Sequence, residues 1–250
     1  MQGRVRCWDF SLERGCNPTT NTVLRYNQYY DMQDAFDELY ARSKANATGV
    51  DLYNLITSTN NILLAYRNIK NNTGSKTKGT DGLTIEDYKI INEDIFINEI
   101  REALTDYLPQ MVRREFIEKE NGKLRPLGIP TMRDRLIQQM FKQVLEPIVE
   151  AKFHKHSYGF RPNRSTHHAM ARCASLINIA KLHYVIDVDI ESFFDRVNHT
   201  KLLSQLFTIG IKDRRVLTII SKMVKAPIEG EGIPTKGTPQ GGFCHHFFPT

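Results

Sequence analysis

The segment Tyr184-Val-Ile-Asp-Val-Asp-Ile-Glu-Ser-Phe-Phe-Asp-Arg-Val-Asn-His199 drives an apolar, strand-forming stretch into a cluster of carboxylates. Tyr184, Val185, Ile186, Val188 and Ile190 favour a pleated strand, yet Asp187 and Asp189 interrupt it where burial without a partner is costly. A metal ion or a cationic partner removes that cost. Magnesium takes oxygen ligands, commonly one or two carboxylates plus substrate phosphates, so acids at a strand end suit phosphoryl or nucleotidyl transfer. A strand that simply ends in solvent, with Asp187, Asp189 and Asp195 as exposed turn residues, gives the same pattern. The segment alone does not choose between the two readings.

Cationic side chains form the next group. Arg113, Arg114, Lys119, Lys123 and Arg125 fall on a stretch that reads as a hairpin, because Asn121-Gly122 between the extended runs Val112–Glu118 and Leu124–Ile129 favours a type I′ turn. Alternation puts Lys119 on one arm and Arg125 on the other near the same tip, where they could hold a triphosphate. A solvated hairpin with scattered charge is the alternative. In Ser157-Tyr-Gly-Phe-Arg-Pro-Asn-Arg-Ser-Thr166, Tyr158 and Phe160 offer stacking or packing surfaces and Arg161 and Arg164 offer phosphate contacts, although a packed turn with surface arginines would look the same. Gly237-Thr-Pro-Gln-Gly-Gly242 is glycine-rich but departs from the Gly-x-x-x-x-Gly-Lys phosphate loop, and alone is a weak signal.

The elements that must hold these groups follow from periodicity. Residues 1 to 27 show no clear period and read as a loose arm. Helical spacing runs from Tyr29 to Ile56 with a break at Asn46-Ala-Thr-Gly49, resumes from Asn61 to Lys70, begins again at Thr84–Lys89 and continues from Asn92 to Tyr107. After the hairpin, Asp134 to Phe153 is the longest helical pattern, with Leu136, Ile137, Met140, Phe141, Val144, Leu145 and Ile148 on one side. His167–Ala180 reads as a helix, Tyr184–Ile190 as a strand, and Thr200–Phe207 and Asp213–Lys225 as helices. The order predicts an α+β fold.

Composition bounds the class. With 250 residues, 40% of them hydrophobic and 25% charged, the chain has ample material for a globular core of one large or two small domains. A net charge of +6 is compatible with a polyanionic partner. Cys7, Cys16, Cys173 and Cys244 lie far apart and form no C-x-x-C pair, which argues against a zinc ribbon or a disulfide framework and for a reducing, cytoplasmic setting. No apolar run approaches a membrane span, and residues following Met1 form no signal-peptide core, so no membrane partner is expected.

Taken in order, the blocks Asn121-Gly-Lys-Leu-Arg-Pro-Leu-Gly-Ile-Pro130, Ser157–Ser165, Asp187–His199 and Gly237–Gly242 resemble those of group II intron-encoded reverse transcriptases and maturases. Asn60–Asp87, with Leu63-Leu-Ala-Tyr66 and Gly79-Thr-Asp-Gly82, resembles the extra N-terminal block of that family, and the wording of these blocks argues against a retron or a diversity-generating element. The resemblance implies a right-hand polymerase with a helix-rich N-terminal extension (1–58), fingers (59–180) and a partial palm (181–242), acting with Mg2+ on an RNA template, a DNA primer and deoxynucleotides. By position it makes Asp189 the catalytic, metal-binding aspartate and the Ile190 carbonyl a further metal ligand. It places Phe194 under the incoming sugar to exclude a 2′-hydroxyl, Lys119 and Arg125 on the triphosphate, and Gln240 beside nucleotide and template. Asp187 is expected to be structural. Arg113, Arg114, Lys123, Arg161 and Arg164 are the candidate RNA contacts, with intron RNA as the implied partner.

The chain departs from the family pattern after Gly242. The family continues with an aliphatic pair and Ser-Pro-Leu-Leu, then a Tyr-Ala-Asp-Asp strand, a thumb and a maturase domain, whereas this sequence reads Phe243-Cys-His-His-Phe-Phe-Pro-Thr250. Suitable synonymous codons for those residues, read in a shifted frame, encode Leu-Ser-Pro-Leu-Leu-Ser-Asn. The expectation is a frameshifted tail over 243–250 and a truncated polymerase without its second metal-binding aspartate. Such a chain would be inactive alone, or would survive as an RNA-binding module without catalysis.

Overall fold

The computed structural model describes residues 25–118, 122 and 124–238. Its centre is the long helix α6 (Met132–Glu150), whose Leu136, Ile137, Met140, Phe141, Val144 and Leu145 are buried on one stripe. Three shorter helices precede it: α1 (Tyr26–Tyr29), α2 (Gln33–Lys44) and α3 (Leu52–Ile56). They are followed by α4 (Thr59–Lys70) and α5 (Glu93–Thr105). α2, α3 and α4 pack on α6. The spacing that predicts these helices is the spacing that buries Phe36 and Leu39 of α2, Ile62, Leu64, Ala65 and Ile69 of α4, and Phe96, Ile97, Ile100 and Leu104 of α5.

Side-chain caps start the helices where the sequence supplies short polar residues. Asp51, Ser58, Asn92 and Thr131 accept from backbone N–H groups in the first turns of α3, α4, α5 and α6. An amide network locks α4 to α6. Asn61, fully buried, donates to the carbonyls of Ile56 at 2.7 Å and Met140 at 3.2 Å, and accepts from Gln143 Nε2 at 2.6 Å. Buried amides satisfied this fully fix one register between two apolar helices, because any slip would orphan them.

The expected hairpin is present as β1 (Arg113–Glu118) and β2 (Leu124–Ile129), antiparallel, with Arg113 opposite Ile129 and Ile117 opposite Arg125. Gly122 has φ +74°, the left-handed geometry that a tight connection here requires. The hairpin is anchored at its base. Val112 donates to Pro227 O at 2.8 Å and accepts from Glu229 N at 3.0 Å, and Val112, Ala226 and Ile228 form a small separate core. Downstream come α7 (Thr166–Asn178), α8 (His199–Thr208) and α9 (Arg214–Val224), with α8 packed on α9. Helices with one small antiparallel sheet bear out the α+β expectation.

Some expectations change. Thr84–Lys89 is a turn rather than a helix, because Asp87 Oδ2 accepts from both Thr84 N at 2.8 Å and Thr84 Oγ1 at 2.9 Å, and that closed ring competes with helical bonding. Tyr184–Ile190 forms no ladder: a strand needs a neighbour for its N–H and C=O groups, and none runs beside it among the described residues. Tyr184, Ile186 and Val188 are therefore 99%, 88% and 80% exposed. Of the expected N-terminal arm, residues 1–24 lie outside the described residues, and Tyr26–Tyr29 is a helical turn. No helix among the described residues is long and apolar enough to cross a membrane.

Candidate functional site

Two blocks far apart in sequence meet behind the hairpin. After Asp189 the chain turns through Ser192, at φ +52°, into a 3-10 turn at Phe194–Arg196, and α8 then starts from an Asn198 cap that accepts from Lys201 N at 3.0 Å. Against this turn lies the start of the glycine-rich block. Gly237 N donates to Val197 O at 2.8 Å, Thr238 N donates to Phe194 O at 2.9 Å, and His199 Nε2 lies 2.6 Å from Gly237 O. Gly237 has φ +82°, and a Cβ there would sit 2.8 Å from Asp195 O, so both conformation and space require glycine. Val197, His199 and Thr238 are buried in this contact.

A cleft of about 350 Å³ opens beside it. Arg114, Phe116 and Pro126 of the hairpin form one wall, and Asp195, Pro234, Lys236, Gly237 and Thr238 form the other. Arg114 closes one end: its Nε and Nη2 donate to the two carboxylate oxygens of Glu231 at 2.7 and 2.6 Å. That paired hydrogen bonding holds the Glu231 carboxyl below the usual range. Arg114 thus tethers the hairpin to the 226–232 turn, with its side chain only 14% exposed.

Arg125 is exposed and pairs with Ile117, so alternation places it with Ile117 and Leu127 on the hairpin face opposite Phe116 and Pro126. Arg113, 3.6 Å from the Glu115 carboxylate, shares that face. Lys119, Lys123 and Gln240 lie outside the described residues. Phe194 is half-buried and meets Phe193 edge-on with ring centroids 5.3 Å apart.

Asp187 and Asp189 are exposed on the unpaired segment. Among the described residues, no group of three or more His, Cys, Asp and Glu gathers as a metal cage. The Asp189 carboxylate and the Ile190 carbonyl are hard oxygen donors of the kind magnesium accepts when water and substrate phosphates complete its shell, so the donors fit one such ion in chemistry.

Arg161 requires a correction. It is 8% exposed; its Nε and Nη2 donate to Glu150, and its Nη1 donates to His154 O at 2.7 Å and Ser157 O at 2.8 Å. The Glu150 hydrogen bonds hold its proton more tightly than usual. With its fork consumed internally, Arg161 shapes the Ser157–Ser165 loop and does not face solvent phosphate. Arg164 is the exposed arginine of that loop, touching Lys155 O at 3.4 Å and lying 5.9 Å from the Tyr158 ring centroid. Sequence reasoning missed His199 as a structural contact: it was legible only as the last letter of the Asp187–His199 block, and its partner lies 38 residues away.

Comparison with known proteins points to a family. Residues 117–244 match the family described as reverse transcriptase (RNA-dependent DNA polymerase). The chain is 37% identical over 201 residues to Protein YkfC of Escherichia coli (strain K12), covering 76% of this chain and 52% of that one. It is 35% identical over 231 residues to the group II intron-encoded protein LtrA of Lactococcus lactis subsp. cremoris, covering 90% and 36% respectively. An uncharacterized 91 kDa protein in the cob intron of Schizosaccharomyces pombe is 34% identical over 212 residues, 82% of this chain and 26% of that protein. The chain thus spans about half or less of the length of these relatives.

Proposed function

Because the chain belongs to the group II intron reverse transcriptase and maturase family, we propose that it holds RNA and an incoming deoxynucleotide for RNA-directed DNA synthesis. In this reading residues 59–180 are fingers and 181–242 part of the palm. The observation that carries it is the contact between the Phe194 turn and Gly237-Thr238 beside the hairpin cleft. It supports the reading because the turn that carries Phe194, five residues after Asp189, is held beside a cleft walled by the hairpin.

Asp189 would supply a carboxylate, and Ile190 its carbonyl, to bound Mg2+, which stabilises charge on the transferring phosphoryl group when present. Lys119 and Arg125 would hold the triphosphate electrostatically, and Arg125 would have to reach round the hairpin edge, since the ladder puts it on the face away from the cleft. Phe194, stiffened by Phe193 and by the Thr238 hydrogen bond at its carbonyl, sits against the sugar and leaves no room for a 2′-hydroxyl. Gln240, two residues past Thr238 in the sequence, would serve nucleotide and template, as the family resemblance implies. Arg113, Lys123 and Arg164 contact RNA phosphates, an interaction that weakens with salt as counterions are released.

A second reading, RNA binding without catalysis, is favoured by the unpaired Tyr184–Ile190 segment, which leaves Asp189 exposed with no carboxylate cage around it among the described residues. Primer extension on an RNA template separates the two. Incorporation that vanishes in Asp189→Ala supports the polymerase reading; salt-dependent RNA binding without incorporation supports the second. Absence of both would overturn the proposal.

A further inference from the structure

The hydrogen bond from His199 to the glycine-rich block joins parts of the chain that the nucleotide reading assigns to different tasks. His199 is the first residue of α8 and is 5% exposed. Its Nε2 lies 2.6 Å from the carbonyl of Gly237, an acceptor, so Nε2 carries the hydrogen, and Nδ1 is buried without a partner among the described residues. The same short stretch is held twice more, by Gly237 N on Val197 O and Thr238 N on Phe194 O. The backbone bonds fix its distance from the Phe194 turn. Among the described residues only the imidazole reaches its carbonyl side.

We infer that His199 is a positioning residue, a latch that sets Gly237-Thr238 against the Phe194 turn so that the sugar-facing ring is held at one spacing from the glycine-rich block. This rests on the polymerase reading of the cleft. Gly237 makes the latch possible, since any side chain there would meet Asp195 O at 2.8 Å and push the carbonyl away from the ring. The ring makes no use of its own basicity in this role. It acts as a rigid N–H donor at the reach of Nε2, a reach that a glutamine amide nitrogen also has and a leucine side chain lacks as a donor.

Ring and amide measurements on the whole chain test it. Nitrogen-edited NMR of the wild-type protein is expected to show His199 as the Nε2–H tautomer with a slowly exchanging ring proton; an Nδ1–H tautomer would overturn the latch, and this holds even if every substitution at 199 unfolds the chain. Hydrogen exchange at Gly237 and Thr238 is expected to quicken about tenfold in His199→Leu, the effect of losing one buried hydrogen bond, and to return near the wild-type rate in His199→Gln. Unchanged exchange in folded His199→Leu would overturn the inference. Binding of a deoxynucleoside triphosphate with magnesium, measured against an RNA template and DNA primer, is expected to weaken in His199→Leu and recover in His199→Gln. If the wild type shows the exchange pattern and no nucleotide affinity, the polymerase reading and the positioning role both fall, while the hydrogen bond itself stands.

Discussion

The helical side of the molecule and the side that carries the candidate site are built by opposite rules. Around α6 nearly every apolar side chain finds a partner, and even the polar groups Asn61, Gln143 and Asp134 are buried in satisfied networks. From Lys181 to Ile190 the reverse holds: apolar and acidic residues alike stand in solvent, and ordered contact resumes only where the Phe194 turn meets Gly237. On the proposed reading the packed helices are a rigid support and the open segment faces nucleic acid and nucleotide, so mutations in the helical core and on the open segment should have different effects.

The largest expected effect lies in the core. Phe141→Ala, at a site with 0% exposure, should cost about 3–5 kcal/mol in chemical denaturation, whereas Val188→Ala, at 80% exposure, should change stability by less than about 0.5 kcal/mol. A large loss from the Val188 change would mean the segment is packed in solution. Next, Arg161→Ala should cost about 3 kcal/mol, because it strands Glu150 and two carbonyls. Arg164→Ala should leave the denaturation midpoint in place, weaken RNA binding across sequences and lower the salt slope by about 0.7–0.9. If Arg161→Ala at full folding reduced the slope as Arg164→Ala does, the buried assignment would be wrong.

A smaller effect concerns pH, and the two sides should again differ in sign. Burial raises the Asp134 carboxyl, against the Gln110 amide, the Arg133 charge and the Tyr107 hydroxyl that lower it. A raised acid contributes stability that is present below the ordinary carboxylate range and lost as pH rises through its folded value. Glu231 is lowered by Arg114, so its contribution is present above the ordinary range and lost as pH falls through its folded value. Denaturation midpoints across acidic pH should therefore lose a decline on the alkaline side in Asp134→Asn and a decline on the acid side in Arg114→Ala. The Glu231 effect should be the weaker, since its side chain is 51% exposed.

What the sequence revealed follows the same division. Helices α4, α5, α6, α8 and α9 were legible because their information is local, an apolar stripe with a capping residue a few positions away, and α2 from its apolar stripe alone. The hairpin was legible from Asn121-Gly122 and its flanks. Tyr184–Ile190 has the composition of a strand, but pairing is a property of a second segment, which composition cannot supply. The face of Arg125 depended on register, and the role of Arg161 depended on Glu150, which lies on a different element. The family blocks pointed to Phe194 and Gly237 without revealing that His199 and two backbone bonds join their turns.

Hydrogen exchange of the whole chain with RNA template, DNA primer, a deoxynucleoside triphosphate and magnesium tests the central claim most directly. The account predicts added protection at Arg113–Glu118, Phe194–Val197 and Gly237–Thr238, with α2, α4 and α6 unchanged. Protection confined to the helical side, or none at the Phe194 and Gly237 contact, would contradict it.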